Sequence, residues 1–303
     1  MKIGRKPTVT IGIAAYNEEG NIGRLLKELL SQRRKYFKLD KIIVVSDGSS
    51  DNTVEEVEKI KSVNVVCVDD GLRKGKSERV NEIVGMFDSD YLINIDADVL
   101  PYDKNVVDNL INPFLKNKNV GIVSGRRITT KAKTQFEEMI NESVEFKLRI
   151  FENINNGNNL YLCFGGCRAF AKEFVKTLRW PTSISEDVYS YLFCIKSGYK
   201  FFYNPHAMIL YKSPDNFHDH EKQSHRFKNG IVKMFEYFEK GFVKKEHNIP
   251  NILIFKSALE WVKKKPLNFI YYLVVLCFVR IRSFGKYDSS SLYDVSLSSK
   301  SLN

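Results

Sequence analysis

The chain has 303 residues, 43% of them apolar and 27% charged, the balance of an ordinary globular protein with enough apolar residues for a sizeable core. Its net charge of +11 is unevenly placed: between residues 222 and 286, fourteen Lys or Arg stand against four Glu, so this stretch carries +10 and the rest is nearly neutral. The five cysteines are odd in number, and Cys163 and Cys167 lie four apart with no second pair, which argues against a zinc ribbon and for buried free thiols in a reducing compartment.

Residues 1–10 are basic but hold no apolar core of signal-peptide length, so the catalytic part is expected to stay in the cytoplasm. Residues 8–15 read as a buried strand. Asn21 is placed to cap a helix whose apolar face is Ile22, Leu25, Leu26, Leu29 and Leu30. A second buried strand covers 41–46, and Asp51 is placed to cap a helix over 54–60. Strands at 63–68, 91–95 and 120–124 alternate with helices at 77–87 and 103–115. This alternation predicts an α/β fold, a Rossmann-like mostly parallel sheet with helices on both faces. In such sheets ligands bind at the carboxyl ends of the strands.

Beyond Gly125 the pattern loosens. A long helix is expected over 134–154, a loop over 153–159, a helix over 186–197 and a short strand over 200–203. From Gly230 onward the chain reads as amphipathic helices, with Ile231, Met234, Phe235, Phe238 and Phe242 on one side. The expected division is a catalytic domain over 1–229, membrane-associating helices over 230–286 and a disordered serine-rich tail over 287–303.

Three strand ends carry polar or acidic groups on short loops: Tyr16-Asn17-Glu18-Glu19, Asp47-Gly48-Ser49-Ser50-Asp51 and Asp96-Ala97-Asp98. Any one of them alone reads more as turn chemistry than as a site, but three at one sheet edge favour a site. Two carboxylates as close as Asp96 and Asp98 repel each other unless a cation lies nearby. Mg²⁺ or Mn²⁺, a hard ion that also takes substrate phosphates, suits them. The chain has no phosphate loop of the Gly-x-x-x-x-Gly-Lys-Ser/Thr type. The histidines lack an arrangement such as His-Glu-x-x-His and read as solvated or packed.

The successive motifs Ile13-Ala14-Ala15-Tyr16-Asn17-Glu18, Val45-Ser46-Asp47-Gly48-Ser49-Ser50-Asp51-Asn52-Thr53 and Asp96-Ala97-Asp98 resemble those of glycosyltransferase family 2. Gly165-Gly166-Cys167-Arg168-Ala169-Phe170 resembles its acceptor-side loop, and Ser185-Glu186-Asp187 its Thr/Ser-Glu-Asp motif. Gln223-Ser224-His225-Arg226-Phe227 resembles the Gln-x-x-Arg-Trp motif of membrane polysaccharide synthases, with Phe227 in place of Trp. The resemblance covers about residues 8–230. It implies the GT-A fold and transfer of a sugar, with inversion, from a nucleotide-diphosphate sugar to a hydroxyl acceptor.

By that resemblance Ala15, Tyr16, Asn17, Glu18, Asp47, Lys76 and Asp96 bind the nucleotide, and Asp98 with Asp96 binds the metal. Asp187 is the base, since a carboxylate within reach of the acceptor hydroxyl suffices to take its proton. Gly166, Glu186, Gln223, Arg226 and Phe227 lie at the acceptor and diphosphate. Two other readings stay open at this point: a nucleotidyltransferase, and an inactive protein that binds membrane or nucleic acid.

Residues 269–279 form an apolar run of eleven, short of the roughly 20 that a membrane span needs. Lys263-Lys264-Lys265 precede it, and Arg280, Arg282 and Lys286 follow. Positive charge on both flanks points to helices lying on an anionic membrane surface, at its cytoplasmic face. The expected partners are therefore a nucleotide-diphosphate sugar and a membrane lipid or lipid-linked acceptor, with no nucleic acid.

Overall fold

The computed structural model describes residues 5–182 and 184–282. The first half runs β1 (Thr8–Ala15), α1 (Ile22–Leu30), β2 (Lys38–Ser46), α2 (Thr53–Glu58), β3 (Val65–Val68), α3 (Lys76–Met86), β4 (Tyr91–Ile95), β5 (Val99–Pro101) and α4 (Val106–Lys116). The second runs β6 (Val120–Thr129), α5 (Gln135–Glu152), β7 (Cys167–Ala171), α6 (Lys172–Val175), α7 (Glu186–Lys196), β8 (Lys200–Tyr211) and α8 (Phe217–Lys233). Three more helices follow, α9 (Lys240–Glu246), α10 (Asn251–Lys264) and α11 (Pro266–Arg282).

The strands form one sheet in the order β3-β2-β1-β4-β7-β6-β8-β5. Pairing is parallel from β3 through β4 and between β6 and β8, and antiparallel where β7 enters between β4 and β6. β-branched runs such as Ile42-Ile43-Val44-Val45 suit strands buried on both faces. Alternate residues feed two apolar layers. Ile42 and Val44 join Ile13, Ile93 and the helices α1 and α4 on one face; Ile43 and Val45 join Val80, Ile83, Phe170 and Leu192 on the other.

Three differences from the sequence reading have physical causes. Asn21 does not cap α1 through its side chain; its Nδ2 donates to Glu18 Oε2 at 2.9 Å instead. β8 continues eight residues past the expected end at Tyr203, because Pro205, His206 and Ala207 are taken up in an irregularity of its pairing with β6, between the pairs Gly125–Asn204 and Arg126–Met208. β7, which reads as part of a glycine-punctuated loop, is a central strand pairing on both sides.

α8 runs across residues 229 and 230, and Met234, Phe238 and Val243 beyond it pack into the same core as β2, α3 and α7. α10 and α11 form a separate cluster on α5, built on Met139, Ile140, Trp261, Tyr272, Val275 and Val279. Polar anchors fix this hairpin: Trp261 Nε1 donates to Glu142 Oε2 at 2.9 Å, and Lys265 Nζ pairs with Glu138 at 2.9 Å. Among the described residues no helix is long and apolar enough to cross a membrane. The stretch 287–303, expected to be a disordered tail, lies outside the described residues.

Helix α3 lies close on β1 because position 12 carries no side chain. A Cβ on Gly12 would run into Cγ2 of the buried Ile83. Ile83 is β-branched and has little freedom to yield. Gly12→Ala is therefore expected to lower stability by about 1–3 kcal/mol through overpacking, read as a shift of the urea midpoint at constant slope.

Candidate active site

The site lies where β1, β2 and β4 end and the antiparallel β7 begins. At the exit of β1, Ala15 is buried and its carbonyl accepts from Asp47 N at 2.7 Å. Asn17 adopts a left-handed conformation at φ 52°, and its Oδ1 accepts from Ser50 N at 2.8 Å. Glu18 N donates to Thr53 Oγ1 at 2.7 Å. Asn17 and Glu18 thus clamp the end of β1 to the turn after β2, a local role the sequence does not reveal. Tyr16 lies under the Arg73 guanidinium, 3.7 Å from its ring centroid.

Asp47 follows β2 and faces inward. Its Oδ1 accepts from Lys74 N at 2.7 Å, Gly75 N at 2.9 Å and Arg79 Nε at 3.1 Å. Arg79 is only 1% exposed, and sequence reasoning missed it. The available signal was a basic residue on the inner side of a helix, three residues before Glu82, to which it donates at 2.9 Å.

Lys76 opens α3 and joins two distant parts of the chain. Its Nζ lies 2.7 Å from Asp96 Oδ1, directly after β4, and 2.6 Å from Glu186 Oε1, in the first turn of α7. Asp96 N donates to Gly166 O at 2.9 Å, which fastens the β4 end to the loop before β7. A Cβ built on Gly165 would lie 3.3 Å from both Asp187 Oδ2 and Glu186 Oε1, so this loop borders the two carboxylates closely.

Arg168, on β7, is fully buried and holds the start of α7. It donates to Glu186 O at 3.0 Å and to Ser190 Oγ at 2.9 Å, and its Nη2 lies 3.5 Å from Glu186 Oε1. The indole of Trp180 donates to Glu186 O at 3.0 Å as well. Arg168 belongs to a motif visible in the sequence, but its partners do not.

The neighbours Glu186 and Asp187 are driven apart electrostatically. Burial pushes Glu186 up, but the Lys76 and Arg168 charges overcome it and hold its carboxyl below the usual range. Asp187 is pushed up by burial and by the charge of Glu186. Burial alone depresses the Lys76 ammonium; Asp96 and Glu186 outweigh it and raise its pKa.

Gln223, Arg226 and Phe227 lie on α8. Gln223, Arg226 and Gly230 stand at helical spacing on one face, and Gly230 is packed directly against Ser185, the residue before Glu186. That stripe therefore starts at the α7 turn. Phe227 is half exposed at the edge of it. Asp98 sits in the turn between β4 and β5, half-buried.

Asp96 and Asp98 supply hard oxygen donors from one turn. Among the described residues no third His, Cys, Asp or Glu gathers with them into a closed metal cage. That donor set fits Mg²⁺ or Mn²⁺, which takes one or two carboxylates and completes its shell with phosphate and water. Cys163, Cys167 and Cys194 are buried free thiols, and Cys277 is exposed.

Known proteins share this fold. A mannosyltransferase from Pyrobaculum calidifontis, solved with GDP-Man and Mn²⁺, superposes with a TM-score of 0.59 at 16% identity, over 92% of this chain and 81% of its own. Glucosyl-3-phosphoglycerate synthase from Mycobacterium tuberculosis, solved with Mn²⁺, UDP and phosphoglyceric acid, gives 0.55 at 15% identity over 75% and 78%. The fold is thus the GT-A α/β fold of sugar transferases. Residues 10–179, more than half of the sequence, match Glycosyl transferase family 2, and the chain belongs to that family.

Among curated relatives, poly-beta-1,6-N-acetyl-D-glucosamine synthase of Staphylococcus aureus is 35% identical over 126 residues, 41% of this chain and 30% of the relative. The 4,4'-diaponeurosporenoate glycosyltransferase of the same species is 29% identical over 170 residues, 55% of this chain and 44% of the relative. The matched region thus spans less than half the length of these relatives.

The opposed shifts of the two carboxylates have opposed consequences for stability. Glu186, with its lowered pKa, contributes stability above its unfolded pKa and loses it as pH falls through the folded value. Asp187, with its raised pKa, favours the fold only while protonated, at acid pH. At neutral pH, Glu186→Gln is expected to destabilise by about 1–3 kcal/mol by weakening its bonds to the part-exposed Lys76 and the buried Arg168, whereas Asp187→Asn should raise the melting temperature. Thermal unfolding of both variants at pH 7 and pH 4 checks the pair, the Asp187→Asn gain shrinking at the lower pH.

Proposed function

We propose that this protein transfers a sugar from a nucleotide-diphosphate sugar to a hydroxyl acceptor, with inversion at the anomeric carbon. The observation that carries the proposal is the Lys76 ammonium between Asp96 and Glu186, which draws the donor-side strand ends and the Glu186-Asp187 turn into one site. Tyr16, Asn17, Glu18 and Asp47 hold the nucleoside beside Ala15, and Lys76 faces the diphosphate. Asp96 and Asp98 hold Mg²⁺ or Mn²⁺, which supplies neutralisation of the charge on the departing diphosphate.

Asp187 takes the proton of the acceptor hydroxyl as its oxygen bonds to the anomeric carbon and the nucleoside diphosphate leaves. Its raised pKa makes it the better proton acceptor of the two neighbours. Glu186, held by Lys76 and Arg168, orients the acceptor side together with Gly166. Gln223, Arg226 and Phe227 extend that side along α8.

We infer further that α10 and α11 rest on an anionic membrane surface and that the acceptor is a membrane lipid or lipid-linked. Their inner faces are covered by α5, while Phe255 is 65% exposed, Leu267 79%, Phe278 56% and Ile281 70%. Lys256, Lys263, Lys264, Arg280 and Arg282 stand beside these apolar groups. Each cation near an anionic bilayer contributes roughly 1 kcal/mol, and the buried apolar side chains add to it. The cytoplasmic face of the membrane, the leaflet richer in anionic lipid, is the location this favours.

Purified protein with Mn²⁺ or Mg²⁺, screened against a panel of nucleotide sugars for nucleoside-diphosphate release, tests the reaction. Asp187→Asn is expected to lower turnover by about 10²–10⁴-fold while keeping nucleotide affinity; near-normal turnover removes Asp187 as the base. Asp98→Ala is expected to abolish the metal dependence of nucleotide binding.

Co-sedimentation with liposomes tests the surface. Binding is expected to rise with anionic lipid and fall with salt. Equal binding to neutral and anionic liposomes removes the electrostatic part of the proposal.

A further inference from the structure

Asn94 sits in the middle of β4, within the run Tyr91-Leu92-Ile93-Asn94-Ile95, and is only 1% exposed. Among the described residues neither its Oδ1 nor its Nδ2 has a hydrogen-bond partner. A carboxamide buried without partners is strongly unfavourable, so both atoms call for an answer within the fold. The strand pairing shows where that answer can come from. Asn94 pairs with Gly12 of β1 on one side and with Arg168 of β7 on the other. On the first side there is no side chain, and Ile83 of α3 packs over the gap. Leu92, two residues earlier on the same face, belongs to the apolar layer.

Arg168 offers polar atoms at the same level. The two residues form an antiparallel pair, in which Cβ atoms lie about 4.5–5.5 Å apart on one face. Arg168 is fully buried; its Nη1 and Nη2 are committed to Glu186 and Ser190, and its Nε has no hydrogen-bond partner. The Cys163 thiol lies near Arg168, but sulfur is a weak acceptor for a guanidinium N–H. An orphan acceptor and orphan donors thus stand opposite one another in an enclosed part of the core, two residues below Asp96 on the strand. Water fits such a place, since a buried water takes two to four polar partners.

We propose that ordered water enclosed between Asn94 and Arg168 links the carboxamide to Nε, and that Asn94 is thereby a positioning residue for the Glu186-Asp187 turn. The water accepts from Nε and donates to Oδ1. A carboxamide turns its two ends apart, so Nδ2 donates to a second water of the same pocket. Arg168 also donates to the Glu186 carbonyl and faces its carboxylate. With Nε held from β4, the guanidinium cannot swing, and the first turn of α7 keeps Asp187 in one direction. Reaction geometry is sensitive to displacements of about 1 Å. The catalytic half of the proposal rests on the transferase reading above; the water does not.

A crystal structure of the full chain, resolved finely enough to show ordered water, tests the link. A water within hydrogen-bond distance of both Asn94 and Arg168 Nε is expected; no water there, or a direct bond between the two side chains, overturns the inference. Asn94→Leu keeps the branching of the side chain without its polar atoms. It should lower the melting temperature by a few degrees, because Nε loses its water, and lower kcat about tenfold at an unchanged KM for the nucleotide sugar. A higher melting temperature overturns the inference, since Leu then merely relieves an orphaned amide. A lower melting temperature with unchanged kcat overturns the positioning role. If the native protein turns over no nucleotide sugar, the transferase reading fails, and a crystal structure of Asn94→Leu decides instead: a shift of Arg168 away from Glu186 supports the inference, and an unmoved Arg168 overturns it. Should Asn94→Leu fail to fold, Asn94→Ser and Asn94→Ala decide, because they differ by one hydroxyl. Several-fold higher turnover with Ser supports the inference, and equal turnover overturns it.

Discussion

The Lys76 ammonium lies between two carboxylates that are ninety residues apart in the chain, Asp96 at 2.7 Å and Glu186 at 2.6 Å. Without a cation at that point, Asp96, Glu186 and Asp187 would confront one another at a partly desolvated sheet edge, where repulsion is strong. Three features of the fold exist to bring that cation there. Gly12 lets α3 settle on β1, so its first residue reaches the edge. β7 enters antiparallel beside β4 and carries the Gly165-Gly166 loop against Asp96. Arg168, buried on β7, fixes the α7 turn from below.

The same arrangement separates the chemistry of two adjacent acidic residues. Glu186 has two cations for company and stays ionised, while Asp187 has mainly burial and a like charge. Both sit at a helix N-terminus, where the backbone dipole favours negative charge. Environments that push neighbouring carboxyl groups apart suit one to holding and the other to proton transfer, the division proposed above for Glu186 and Asp187.

The C-terminal helices obey a different logic. α10 and α11 bury one face on α5 through Trp261, Tyr272 and Val275 and present the other, apolar and rimmed with Lys and Arg. These exposed apolar residues are what the membrane-surface proposal rests on.

The sequence by itself determined the strand-helix alternation, the acidic strand ends and the family. These are written locally: β-branched runs such as Ile42-Ile43-Val44-Val45 encode buried strands, and Asp96-Ala97-Asp98 after an apolar strand encodes a charged loop at its end. The pairing partners were left to the tertiary structure. That Lys76 meets both Asp96 and Glu186, that Asn17 and Glu18 clamp the turn after β2, and that Arg79 is buried against Asp47 depend on contacts between residues far apart in the chain. β7 was hidden for the same reason: five residues after two glycines carry little periodicity, and only the neighbours β4 and β6 make them a strand. Local patterns report which face a residue turns to the core; they carry no record of which distant side chain waits there.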